Sequence, residues 1–133
     1  MKKNISIKIV AKEYARVWQN AILNGDIPPW EEMFDSSFVL HFEGGAVDWK
    51  GLRQHVIDLH DHSKVINLDI KFVTADRYLF ALEYRGHFKL TDDMPGRLGV
   101  AGKEVKSSAL CLFRVKDSKV IEEWANTTVT GLA

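Results

Sequence analysis

The chain has 133 residues, of which 46% are hydrophobic and 27% charged, which suits one domain that buries a core without staples. Lys plus Arg and Asp plus Glu each number 18, so the formal net charge is zero. That balance argues against nucleic acid or an anionic membrane surface as partner, and no stretch reaches the ~20 apolar residues of a membrane span.

Residues 5–24 read as a helix. Val10, Tyr14, Val17, Trp18, Ala21 and Ile22 recur at steps of three and four and share one face. Gly25 supplies the stop. A short helix is predicted next, with Pro29 in its first turn, running through Trp30 to Phe34. Asp35-Ser36-Ser37 is turn chemistry, and Phe38 to Glu43 reads as a strand closed by Gly44-Gly45. Residues 51–62 form a predicted third helix that docks through Leu52, Val56 and Leu59, with His55 and His62 on one shoulder and His60 on the other. From residue 65 the period changes to two. Strands are predicted at about 66–75, 77–91, 103–116 and 119–130, with tight turns at Asp76-Arg77 and Asp117-Ser118 and a longer loop from Asp92 to Gly102.

Alternation sorts the strand faces. Tyr78, Phe80, Leu82, Tyr84 and Phe88 share one face, opposite Glu83, Arg85, His87 and Lys89. Val105, Ser107, Ala109, Cys111, Phe113 and Val115 share another, and Leu110 and Leu112 fall among the polar residues opposite. Two leucines on an outer face point to cover by a second subunit, hence a homodimer. The order predicts an α+β domain over residues 1–133, with about three helices covering one face of a twisted sheet. Cys111 is the single cysteine and cannot form an internal disulfide, and the start Met1–Lys8 lacks a long apolar run. A cytoplasmic location is expected.

Three local patterns carry a resemblance: Trp49-Lys50-Gly51-Leu52-Arg53-Gln54-His55-Val56, Tyr84-Arg85-Gly86-His87, and the closing run from Leu112 to Trp124. Together with the element order, over nearly the whole chain, they resemble the SnoaL-like (polyketide cyclase-like) branch of the nuclear transport factor two-like superfamily. The resemblance implies a cone-shaped fold, a curved, mostly antiparallel mixed sheet around the helices, an apolar pocket between them, and frequent homodimers. It also implies cyclases, isomerases, dehydratases and hydrolases, whose catalytic members use an acid inside the cone. This chain departs from the pattern. Ala125-Asn126-Thr127-Thr128 follows Trp124, where cyclase-like members often carry an aspartate, and His41-Phe42-Glu43 stands where isomerases place an acid.

The residues themselves offer several candidates, each with a plainer reading. His41, mid-strand, suits a general base or a structural hydrogen bond. Tyr14 and Trp18 stand one turn apart on a face that the resemblance places over the pocket, where they would suit an oxyanion donor and a pocket wall; the plainer reading is core packing, and Tyr84 carries the same two readings. Asn126, on the strand face of Trp124 and Thr128, can position a carbonyl or a water, or bond a neighbouring strand. Glu83, Arg85 and His87 read as a site or a solvated charge ladder, and Glu43 as a carboxylate candidate or a surface residue. Phe42, Trp49, His55, Leu59, Ser107 and Trp124 complete the expected ligand-binding set. Cys111 reads as buried and inert. His60 and His62 diverge by about 200° on a helix and cannot share an ion, so no metal is expected. Gly96, Gly99 and Gly102 lack the helix a dinucleotide fingerprint needs, and suggest a lid at the pocket rim. No cofactor is expected. The expected partner is a small apolar or weakly polar organic molecule, handled either by cofactor-free acid–base chemistry or by a non-catalytic binding or dimerisation domain.

Overall fold

Helix α1 (Ile7–Asn24) buries Val10, Tyr14, Val17, Trp18, Ala21 and Ile22, the stripe its spacing predicts, and Ala11 beside them. The computed structural model describes residues 6–93 and 99–132, so Gly96 of the expected rim loop lies outside the described residues. Gly25 ends α1 in the left-handed conformation (φ 70°), its N–H donating to the Ala21 carbonyl at 3.1 Å. A side chain there would also strike His60, whose Nε2 lies 2.7 Å from the would-be Cβ.

Helix α2 (Ile27–Glu31) starts earlier and stops sooner than predicted, because Pro28 and Pro29 together set the first turn. Phe34 instead opens strand β1 (Phe34–Phe42). The turn chemistry of Asp35-Ser36-Ser37 is present, but inside that strand: the Asp35 carboxylate accepts from the Ser37 N–H at 2.9 Å. Strand β2 (Gly45–Asp48) was not anticipated. Gly44, at φ 97°, turns β1 back to pair with it. Helix α3 (Trp49–His62) begins two residues ahead of the predicted start, where the Asp48 carboxylate accepts from the Gly51 N–H at 3.0 Å.

The remaining strands are β3 (Ser63–Ala75), β4 (Leu79–Leu90), β5 (Glu104–Lys116) and β6 (Lys119–Leu132). Tyr78 precedes β4 and is 65% exposed, which corrects its expected place beside Phe80; the bond from the Asp76 N–H to the Leu79 carbonyl draws it into the turn. Asp117 and Ser118 both have positive φ (51° and 63°), the geometry of a tight two-residue hairpin turn. Among the described residues six strands form one curved, unclosed sheet in the order β2-β1-β6-β5-β4-β3. Only the β1–β6 pair is parallel, so the sheet is mixed, and with the helices at the N-terminus the class is α+β.

One irregularity fixes what faces the helices. Arg114 pairs with Glu122, yet Val115 pairs with Val120, so Ile121 is an extra residue on β6. Without the bulge, Val120, Glu122, Trp124 and Asn126 would share the inner face. With it, buried Val120 is followed on that face by Glu123, Ala125 and Thr127. Trp124, Asn126 and Thr128 turn to the opposite side, in register with Leu112, Leu110 and Ser108.

Candidate functional site

The inner face of the sheet carries large side chains at both ends and small ones between. Phe80 and Phe113 stack with centroids 4.6 Å apart toward one end, and Phe88 pairs with Val105 toward the other. Between them β5 and β6 offer Ser107, Ala109, Ala125 and Thr127. The helices cannot fill the gap these leave. A cavity of about 120 Å³ remains, walled by Trp18 and Ile22 of α1, Leu52, His55, Val56 and Leu59 of α3, and Leu40 and Tyr84 from the sheet. Tyr84 stacks on Trp18 at 5.2 Å and an interplanar angle of 21°. Gly86 permits that wall: a Cβ there would lie 2.6 Å from the Tyr84 hydroxyl and 2.3 Å from the Phe88 ring.

Polar groups are arranged unequally along this space. His55 and Ser107 are half-buried and Thr127 is exposed, which makes them the rim. At the closed end sits Glu123, 4% exposed and the buried charged residue of the described chain. Burial pushes its carboxyl up to about 8, against the opposing pull of a hydrogen bond with Cys111. At pH 7 the carboxyl is therefore mostly protonated. Burial, then the Glu123 charge, raises the Cys111 thiol, which stays protonated and able to donate. Burial likewise raises the Tyr84 and Tyr14 hydroxyls, so neither ionises near neutrality.

The structure divides the residues expected from the sequence. Trp18, His55, Leu59, Tyr84 and Ser107 line this cavity together. Tyr14 does not. It is buried among Trp18, Phe34, Phe80 and Phe113, and its hydroxyl accepts from the Trp30 indole N–H at 3.4 Å. Trp49 packs on Phe34 and Trp30, with centroids at 4.2 and 4.8 Å. His41, Phe42, Trp124 and Asn126 border a separate, shallow depression with Leu110 and Leu112. There the His41 ring stacks on Trp124 at 5.6 Å and its Nε2 meets the Glu122 carboxylate at 2.6 Å. The bulge at Ile121 accounts for Trp124 and Asn126, since it reverses their face. Thus Tyr14 lies in the core apart from His41 and Asn126, which border the shallow depression, and none of the three lines the cavity.

The other candidates are placed as follows. Glu43 is exposed in the β1–β2 turn. Glu83, Arg85 and His87 lie on the outer face, where Arg85 Nε is 3.0 Å from Glu83 and His87 Nε2 is 3.0 Å from Glu104. His60 Nδ1 bonds the Ile22 carbonyl at 3.1 Å, tying α3 to the end of α1. His62 Nδ1 pairs with Asp92 at 2.9 Å, which raises its pKa. Among the described residues no group of three or more His, Cys, Asp or Glu could hold a metal ion.

Sequence reasoning missed Glu123. A signal existed: Glu122 and Glu123 are adjacent on one strand, so one of them must face inward whatever the parity.

No protein-family model and no curated protein matches the chain. Solved structures do. A protein from Mesorhizobium loti named as a SnoaL-like polyketide cyclase superposes with a TM-score of 0.65 at 18% identity, covering 91% of this chain and 98% of its own. A protein from Bacillus subtilis named as an isomerase gives 0.68 at 14% identity, over 93% and 90%. An LEH-like epoxide hydrolase from M. tuberculosis gives 0.62 at 14% identity, over 90% and 84%. At such identities the likeness shows the fold: the chain has the SnoaL-like, nuclear transport factor two-like architecture.

Proposed function

We propose that the cavity between α1, α3 and the sheet is an acid–base site for a small apolar organic molecule bearing a carbonyl or similar acceptor, with Glu123 as the proton carrier. The observation that carries this reading is Glu123 itself, a carboxyl buried at the closed end of a cavity with otherwise mostly apolar walls. A carboxyl raised to about 8 is matched to proton transfer near neutral pH. Neutral, it donates to an acceptor oxygen; ionised, it takes a proton from carbon beside a carbonyl. Tyr84, His55, Ser107 and Thr127 are further polar residues of the lining that a bound molecule can meet. Isomerase, cyclase, dehydratase and hydrolase reactions all draw on such a group, and the fold neighbours named above include proteins of several of these kinds.

A non-catalytic binding domain is the second reading. It is favoured by the Cys111 bond, because a mostly protonated, hydrogen-bonded carboxyl serves equally as a fixed ligand anchor. Exchange of α-protons into D2O, followed by NMR over a panel of cyclic ketones, separates the two. The acid–base reading expects exchange that Glu123→Gln slows by about 10²–10⁴-fold without loss of binding. Binding without any exchange over the panel removes the catalytic reading and leaves the second.

We also propose a homodimer through the outer sheet face. Leu110 and Leu112 are 56% and 38% exposed there, between the mixed charges of Glu83, Arg85 and Lys106 and those of Glu122 and Arg114. Both signs on one face suit pairing with a copy of itself. No described helix is long and apolar enough to cross a membrane. For the compartment we propose the cytoplasm, supported by the free, buried thiol of Cys111.

A further inference from the structure

We infer that the cavity selects a neutral, single-ring organic molecule carrying one hydrogen-bond-accepting oxygen, held with that oxygen against Glu123. The inference rests on the reading of this cavity given above and adds the size, charge and orientation of its occupant.

Size follows from volume. The cavity measures about 120 Å³, whereas an apolar cavity of about 150 Å³ takes one benzene. Pockets for drug-sized ligands begin at about 300 Å³. Two fused rings exceed the space. Its boundaries also resist enlargement. Ala109 and Ala125 on the floor have little left to withdraw, Trp18 is locked by stacking on Tyr84, and Glu123 is flanked across the sheet by Leu40 and Phe113.

Charge follows from the lining. No Lys or Arg stands among the described residues that border the cavity. The titratable groups facing Glu123 are Tyr14 from α1, His55 from α3, Tyr84 from β4 and Cys111 from β5; β1 brings only Leu40. A ligand carboxylate would enter a space that already holds one acid and no permanent cation, and desolvation would oppose it. Orientation follows from the polar groups. Glu123 is the strong hydrogen-bonding group of the closed end, while His55, Ser107 and Thr127 at the rim have access to water. A ring bound with its oxygen outward would cover the carboxyl with carbon and leave it only its Cys111 bond.

The test is binding to the whole chain at pH 7, by calorimetry or NMR, of cyclohexanone, phenol, toluene, 2-decalone and cyclohexanecarboxylate. Cyclohexanone and phenol are expected to bind about ten- to a hundredfold more tightly than toluene. The bicyclic ketone and the carboxylate are expected to bind at least about tenfold more weakly than cyclohexanone. Glu123→Leu removes the difference between cyclohexanone and toluene. Should that variant not fold, Ala125→Leu, which fills the floor and keeps the carboxyl, abolishes binding of both. Decalone binding as tightly as cyclohexanone overturns the size limit, equal binding of the carboxylate overturns the neutrality, and equal binding of toluene overturns the orientation. In each of those cases the cavity remains a ligand site. Failure of every probe to bind overturns this inference and the acid–base reading together.

Discussion

Glu123→Gln isolates the cost of burying an acid, and the pH dependence of that cost is calculable. An exposed glutamate in the unfolded chain titrates near 4.3, and the buried one is raised to about 8. Between those values the folded chain holds a proton that the unfolded chain has released, so stability falls as pH rises. The slope is about 1.4 kcal/mol per pH unit for one such group. From pH 5 to pH 8 the wild-type chain should lose roughly 4 kcal/mol relative to a variant with no acid at that position, and the loss should level off above pH 8. For a chain of this length 1 kcal/mol moves the melting temperature by about 3–4 °C. Other groups, His62 among them, titrate equally in both proteins and cancel in the difference. Urea unfolding of wild type and Glu123→Gln at half-unit intervals from pH 5 to 9 measures it. The variant should gain on wild type steadily to pH 8 and stay ahead thereafter. A difference that is flat across that range would mean that Glu123 ionises as easily as a surface carboxylate, and the proposed proton carrier would be gone with it.

Gly86→Ala should destabilise the fold by about 1–3 kcal/mol, because the new methyl meets both the Tyr84 hydroxyl and the Phe88 ring; denaturant unfolding reads this directly. His41→Ala should leave cyclohexanone affinity within about twofold of wild type, since its ring pairs with Glu122 and stacks on Trp124 away from the cavity. Leu112→Asp should convert a dimeric mass to a monomeric one in light scattering, while a wild-type chain that is itself monomeric at micromolar concentration would refute the interface. Asp92→Asn should lower the titration midpoint of His62, which the Asp92 carboxylate holds above the ordinary histidine value; proton NMR of the ring follows it.

Much of the fold was legible because its signals are local. The stripe from Val10 to Ile22, the stop at Gly25 and the alternation of β4 and β5 each follow from a few neighbouring residues, and the buried faces match them. Strand β2 was less legible because a four-residue edge strand has too few positions to show a period. The ends of α2 depended on two prolines acting together, and Tyr78 on a turn bond to Leu79. The site was half legible. Trp18, His55, Leu59, Tyr84 and Ser107 come from elements whose faces the sequence declares. The residues from β1 and β6 do not, because β1 slips in register between Phe34 and Val39 and β6 carries an extra residue at Ile121.

That extra residue ties the cavity and its acid to one cause. Consider β6 without it, keeping Val120 in the core. Glu122, Trp124 and Asn126 would then turn inward, and the indole of Trp124 would occupy the space now floored by Ala125 and Thr127. A filled interior would replace the hollow, and the acid brought in at Glu122 would have no space beside it for a ligand. The bulge instead delivers a carboxyl and two small side chains to the same face. It sends Trp124 to the outer one, where the ring packs between His41 and Arg114. A bulge leaves one residue unpaired and disturbs the ladder, and the chain accepts this at a position where Val120 and Phe113 are fully buried on either side. The register that forms leaves Trp124 half-buried on the outer face and places a buried carboxyl beside the cavity on the inner one, the arrangement the proposed site requires.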